Sequence, residues 1–187
     1  MSIRLFNNSG GYIDLNAGGD GTAANTFTLP AETGTLLTSA SNANFPAGSV
    51  LQVVSDNGST ETTTTSTSYV DVGLSVNITP SSTSSKMLVL VNGHIHKGGA
   101  VDDYVYGSAQ LLRGATQLKE HIGCAYFQES TGGGNGDGGK NLGTVSFSYL
   151  DSPATTSELT YKVQFKTDGS SLTFGTSGSL TVMEIAA

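Results

Sequence analysis

Tryptophan is absent from this chain, and cysteine occurs once, at Cys124. One thiol cannot build an intramolecular disulfide framework, and it offers no zinc-ligand spacing. Charge is scarce as well. Only 12% of the residues are Asp, Glu, Lys or Arg, and the formal net charge is −7. A thinly charged, acidic surface repels phosphate backbones and anionic lipid head groups, so neither nucleic acid nor membrane is an expected partner. No basic segment leads into an apolar run, so neither a signal peptide nor a transmembrane span is expected. Amphipathic helix periodicity is missing too. The best candidate, "TQLKEHIGCAYFQES", alternates instead, placing Leu118, Glu120, Ile122, Cys124 and Tyr126 on one face at period two.

What is present is Ser, Thr, Gly and Asn in abundance, which suits short strands joined by tight turns. At 187 residues the chain can bury one real core, with room for a small appendage. Strand patterns run over Ser49–Asp56, Ser68–Pro80, Ser85–Ile95, Asp103–Arg113, Gly143–Asp151, Glu158–Thr167, Ser171–Thr176 and Ser179–Ala186. In each, β-branched and aromatic residues alternate with Ser, Thr, Gln or Lys, and Gly, Asn, Asp or Pro close the run. In "ELTYKVQFK" the residues Leu159, Tyr161, Val163 and Phe165 form the inward face, with Lys162, Gln164 and Lys166 outward. Turns are marked at Asn57-Gly58, Arg113-Gly114 and Asp168-Gly169. Short strands without a helical crossover predict an all-β fold, an antiparallel sandwich of jelly-roll type over residues 48–187.

Residues 1–47 differ. Apolar snippets at Ile3–Phe6, Tyr12–Leu15, Phe27–Leu29 and Thr35–Leu37 stand apart among Gly, Asn, Ser and Ala. Each is too short to bury itself in a monomer. An extended, glycine-rich arm that other subunits cover is the expectation, with Phe6, Tyr12, Phe27, Leu29 and Leu36 as the residues that make the attachment. A linker near Ser39–Gly48 leads from it into the sandwich.

The run "GGGNGDGGKN", Gly132 to Asn141, contains G-x-x-x-x-G-K, the first seven positions of a nucleotide-binding phosphate loop. Asn141 follows where Ser or Thr should hold magnesium, and a strand follows where a helix N-terminus should face the phosphates. Nucleotide binding is therefore excluded. The spacing also fails the calcium-repeat pattern. A long surface connection remains, whose Asn135, Asp137 and Lys140 could touch a receptor or a surface glycan. His94 and His96 stand two apart, so both imidazoles leave a strand on one side. Two ligands cannot close a zinc site, but three chains about an axis would offer six, enough for one octahedral transition metal. Otherwise no cofactor is expected. Carboxylates for glycoside cleavage could come from Asp102, Asp103, Asp137 and Asp151, but no spacing singles out a pair, and solvated strand ends account for them. Cys124 reads as a small buried hydrophobe. The chain reads as a non-enzyme.

"NTFTLPAETGTLLTSAS", Asn25 to Ser41, resembles a segment that recurs in tail-fibre and related virion proteins of tailed bacteriophages, marine phages especially. "TSYVDVGLSVNITPSSTSSKMLVLVNGHI" is similar to the opening of the β-sandwich that often closes such chains, and "AQLLRGATQL" to its next hairpin. The resemblance implies a structural protein of the virion: a homotrimer whose N-terminal arm is intertwined or docked on other virion proteins, with the sandwich displayed outward. Paired histidines of the HxH type occur in trimeric spikes and fibres of such phages. A short fibre or fibre tip that attaches to the host is the first expectation. A capsid decoration protein seated on the head lattice is the second, and a free glycan-binding domain the third.

Overall fold

The computed structural model describes residues 3–6, 12–15, 45–97, 105–127 and 142–187. The chain divides into two units, Met1–Leu36 and Leu37–Ala187. In the first, β1 (Ile3–Phe6) and β2 (Tyr12–Leu15) pair antiparallel, with Ile3 opposite Leu15 and Phe6 opposite Tyr12. Two of the apolar snippets thus pair with each other inside one chain. Phe27, Leu29 and Leu36 lie outside the described residues.

The second unit holds β3 (Val50–Asn57), β4 (Thr62–Thr64), β5 (Val70–Ile78), β6 (Lys86–His96), β7 (Val105–Arg113) and β8 (Thr116–Phe127). It continues with β9 (Leu142–Asp151), β10 (Leu159–Thr167), β11 (Leu172–Phe174) and β12 (Ser179–Ile185). Leaving aside the three-residue β4 and β11, the long strands pair from the outside in. The first, β3, pairs with the last, β12; then β5 with β10, β6 with β9, and β7 with β8. That is the pairing of one long antiparallel ribbon folded over on itself. Further pairing of β12 with β6, and of β10 with β7, closes the ribbon into two sheets, β3-β12-β6-β9 and β5-β10-β7-β8. Eight strands in this order make a jelly roll, two Greek keys face to face. Short β11 adds to β6 at Thr173 and Phe174, and β4 adds to β11.

Local chemistry explains why these residues take these places. In β10, Tyr161, Val163 and Phe165 are fully buried, as the alternation predicts. On β5, Val72, Leu74, Val76 and Ile78 face the same core. Burying side chains of this size stabilises the fold by about 1.5–3 kcal/mol each. Gly73, at φ +81, lies where the β5–β10 register slips, a bulge that twists this sheet edge. Asp56 accepts a hydrogen bond from the Ser75 backbone N–H at 2.9 Å, occupying another group of that edge strand. The β7–β8 hairpin turns at Gly114, φ +58, and the β10–β11 connection turns at Gly169, φ +115. Both are turns marked in the sequence. Between the sheets, the Phe174 ring fills a slot with Gly93 on one side and Gly178 on the other. A Cβ on either would come within 2.4 and 2.6 Å of the ring, respectively.

Strand β8 departs from its expected face. The register shifts between Leu111 and Leu112, and again between Gly107 and Ala109, where Gly123 adopts φ +67. Between those bulges Lys119 and His121 stand opposite the buried Leu111 and Ala109, while Glu120 stands opposite Gln110 on the outer side. Ile122 is 75% exposed. A period of two holds only while every residue is paired, and each bulge inserts unpaired residues that break the phase.

Candidate functional site

Two buried carboxylates first suggest chemistry. Asp151, at the end of β9, accepts the Arg113 Nη1 proton at 2.6 Å and the Tyr161 hydroxyl at 2.6 Å, both on Oδ2. The Ser152 N–H reaches Oδ1 at 2.9 Å. Asp151 is 5% exposed, so it is not the solvated strand end expected of it. Arg113 and Tyr161 are register partners on the opposite sheet, so this network ties the two sheets together. Burial, followed by the hydrogen bond to Asp151, pushes the Tyr161 phenol well above its ordinary pKa. A phenol held protonated and a guanidinium held charged form a clamp, with neither a base nor a nucleophile free to react.

Glu184, on the inner face of β12, is fully buried. Its Oε1 accepts the Ser81 N–H at 2.7 Å and the Ser81 hydroxyl at 2.6 Å, and its Oε2 accepts Gln52 Nε2 at 2.6 Å. Burial alone would raise this carboxyl. The hydrogen bonds from Ser81 and Gln52 outweigh it and hold the group below its ordinary value. It pins the β5–β6 connection onto the sheet.

His94 and His96 do leave β6 on one side, their rings stacked with centroids 5.7 Å apart. That side is the outer face, because Val91 and Ile95 point into the core. The His94 ring lies against Gly175, where an added Cβ would come within 1.9 Å of Nε2. His96 Nε2 stands 4.0 Å from Glu61 Oε1. Among the described residues no group of three or more His, Cys, Asp or Glu is placed to hold a metal ion. Asn135, Asp137 and Lys140 of the glycine loop lie outside the described residues, as do Asp102 and Asp103.

The strongest feature lies on the outer surfaces. On the β5-β10-β7-β8 sheet the outward side is polar and cross-linked. Gln110 Nε2 donates to Gln164 Oε1 at 2.7 Å, Gln164 Nε2 donates to Asp71 Oδ1 at 2.8 Å, and Lys162 Nζ stands 3.1 Å from Asp71 Oδ1. Beside this ladder the Tyr69 hydroxyl donates to Glu120, and Lys166 lies 4.4 Å from the Tyr69 ring centre.

The outward side of β3-β12-β6-β9 is the opposite. Pairing sets Val53 beside Met183, Met183 beside Leu88, and Leu88 beside Leu150. All four stand on the outer side, because the alternate residues Val54, Val182, Val89 and Tyr149 pack in the core. At roughly 4.8 Å per strand the row crosses about 14 Å of sheet. Val53 is 54% exposed and Leu150 53%, one at each end. Val50, 53% exposed, pairs with Ile185 alongside. Further along, the face turns to hydroxyls and amides: Ser55 hydrogen-bonds Thr181 at 3.0 Å, and Ser146 donates to Asn92 at 2.9 Å. A signal for the row existed in "KMLVLV", which is apolar at both parities. With Met87, Val89 and Val91 inward, Leu88 and Leu90 can only face out.

No protein-family model matches the sequence, and no curated protein matches it. Solved structures with similar backbones include a chain of the infectious bursal disease virus Gx strain, at 13% identity and a TM-score of 0.45 over 97% of this chain and 41% of that one. Another is in the T13 particle of the same virus, at 14% identity and a TM-score of 0.42 over 92% of this chain and 37% of that one. A third is the VP2 subviral particle, at 14% identity and a TM-score of 0.39 over 71% and 32%. This chain spans about two fifths or less of the length of those chains. Likeness at this level says nothing of what the chain does.

Proposed function

We propose that this chain is a non-enzymatic structural module of a virus particle, a short homotrimeric fibre or fibre tip of a tailed bacteriophage. The observation that carries the reading is the apolar row on an outer sheet face of an acidic, charge-poor chain. Such a face suits cover by other protein, not the capture of a small substrate. The resemblance of Asn25–Ser41 to phage virion segments supplies the class of particle. In this reading residues 1–47 form the arm, with Phe6, Tyr12, Phe27, Leu29 and Leu36 attaching to neighbouring subunits or other virion proteins. Residues 48–187 form the displayed sandwich, and Asn135, Asp137 and Lys140 touch the host. His94 and His96 would complete an ion site only where three chains bring their pairs together.

A head decoration protein is the second reading, and the breadth of the apolar row favours it. A row crossing four strands suits seating on a flat lattice. The protein composition of purified virions tests both. Copies in threes or sixes per particle support the fibre, and copies approaching the capsid protein's number support decoration. A chain absent from purified virions refutes the proposal in either form.

A further inference from the structure

We infer that copies of this chain pack on one another through the outer face of the β3-β12-β6-β9 sheet, with the row Val53, Met183, Leu88 and Leu150 at the centre of the contact. The first ground is apolar exposure. Three large aliphatic residues, Val50, Val53 and Leu150, are more than half exposed on one face, and half-buried Leu88, Met183 and Ile185 join them into one patch. Single exposed aliphatics are ordinary on a protein surface; a connected row is not.

The second ground is charge, and it identifies the occupant. The chain carries fifteen carboxylates against eight basic residues, so two copies repel each other over most approaches. Among the described residues, the outward positions of these four strands carry no Asp or Glu at all. The carboxylates of β12 and β9, Glu184 and Asp151, both point inward. Lys86 is the one formally charged residue that faces out, opposite Ile185. The other sheet's outer side carries Asp71 paired with Lys162 and Glu120 paired with Lys166, so its charges balance and contact there would bury ion pairs. An equally acidic second copy therefore meets no carboxylate and buries no ion pair around the row, where burial of apolar surface gains most. Around the row a strongly basic partner would find nothing to pair with; Glu61 stands beside His96, at the other end of β6.

This inference deepens the structural reading above, because it names the surface through which the chain would self-assemble. The test is sedimentation velocity of the full chain over a concentration series, with Val53→Glu/Leu150→Glu as the variant and Ile122→Glu as the control on the other sheet. All three positions are at least half exposed, so folding should survive, and circular dichroism checks that it does. The wild type and Ile122→Glu should form the same oligomer. The double variant should raise the dissociation constant at least about a hundredfold, since like charges meet across the contact. Should the glutamates unfold the chain, Val53→Thr/Leu150→Thr must still weaken assembly about tenfold or more. A full chain that stays monomeric at its highest soluble concentration overturns the inference, as does a folded double variant that assembles like the wild type. The virion composition is a separate readout. A chain present in virions whose folded double variant still assembles would sink this face while leaving the virion role intact.

Discussion

The two outward faces of the sandwich are built from the same kind of strand and back onto the same core, yet they carry opposite chemistry. On the β5-β10-β7-β8 sheet, even Gln110, at 6% exposure, is polar, and its amide is used in a ladder with Gln164 and Asp71. On the β3-β12-β6-β9 sheet, Val53 and Leu150 lie open to solvent. Ile122 and Tyr106 are exposed on the first sheet too, but among the described residues no apolar row joins them. The inner faces alone account for folding, since alternation toward the core is equally strict in β10 and β12. A difference that folding does not require reports on what each face meets.

Inside, the two sheets should behave alike, and the largest effect is expected there. Phe165→Ala, on β10, removes a fully buried ring that packs 6.1 Å from Phe174 on the other sheet. Urea unfolding should show a loss of about 3–5 kcal/mol, and Phe174→Ala should match it. A loss below about 1 kcal/mol in either would mean that the register of that strand is wrong.

The clamp between the sheets comes next. Asp151→Ala leaves the Tyr161 hydroxyl buried without its acceptor and Arg113 without its counter-charge. Arg113 keeps 26% of its side chain in solvent, which softens the penalty, so about 2–4 kcal/mol is expected. Asp151→Asn, which keeps an acceptor for the phenol, should recover part of it. No recovery would mean that the ionic component dominates.

Acid should act through Glu184. Its folded-state pKa lies below the ordinary 4.5, so its contribution is fully present above that value and is lost as pH falls through the lower folded one. Melting temperature should therefore drop below about pH 4.5, and Glu184→Gln should flatten that part of the profile. Asp71, lowered by Gln164 and Lys162 against its own desolvation, has the same sign but sits in solvent. An unchanged profile in Glu184→Gln would assign the acid sensitivity to other carboxylates.

Much of the fold was legible in the sequence because alternation is a local signal. Leu159 to Phe165 announced both a strand and its inward face, and Arg113-Gly114 and Asp168-Gly169 announced their turns. Strand β8 misled, because bulges at Leu118 and Gly123 shift the phase; the glycine was a mark of the second, but nothing in the composition marks the first. Thr62–Thr64 hid in "TETTTTST", where every residue is polar and no alternation exists. The Asp151 clamp was invisible because its partners lie 38 and 10 residues away and meet only once the ribbon folds over. The apolar row was only half legible: "KMLVLV" showed that β6 is apolar on both faces, but the row's four members come from four strands, and only the register aligns them.

The smallest effect is the one that separates the outer faces. Gln164→Ala cuts the polar ladder in two places, leaving Gln110 and Asp71 without that partner. Water can replace what Asp71 loses but less of what Gln110 loses at 6% exposure, so the expected cost is about 1–2 kcal/mol. Val53→Thr, on the other face, is nearly isosteric, keeps a β-branched side chain and removes no hydrogen bond. Its effect on the stability of the dilute, monomeric chain should lie within about 0.5 kcal/mol of zero. Each face would then show its worth in a different measurement: the polar ladder in unfolding, the apolar row in association. If Val53→Thr destabilised the dilute chain more than Gln164→Ala did, the apolar row would belong to the fold of a single chain, and its exposure would no longer point to a partner.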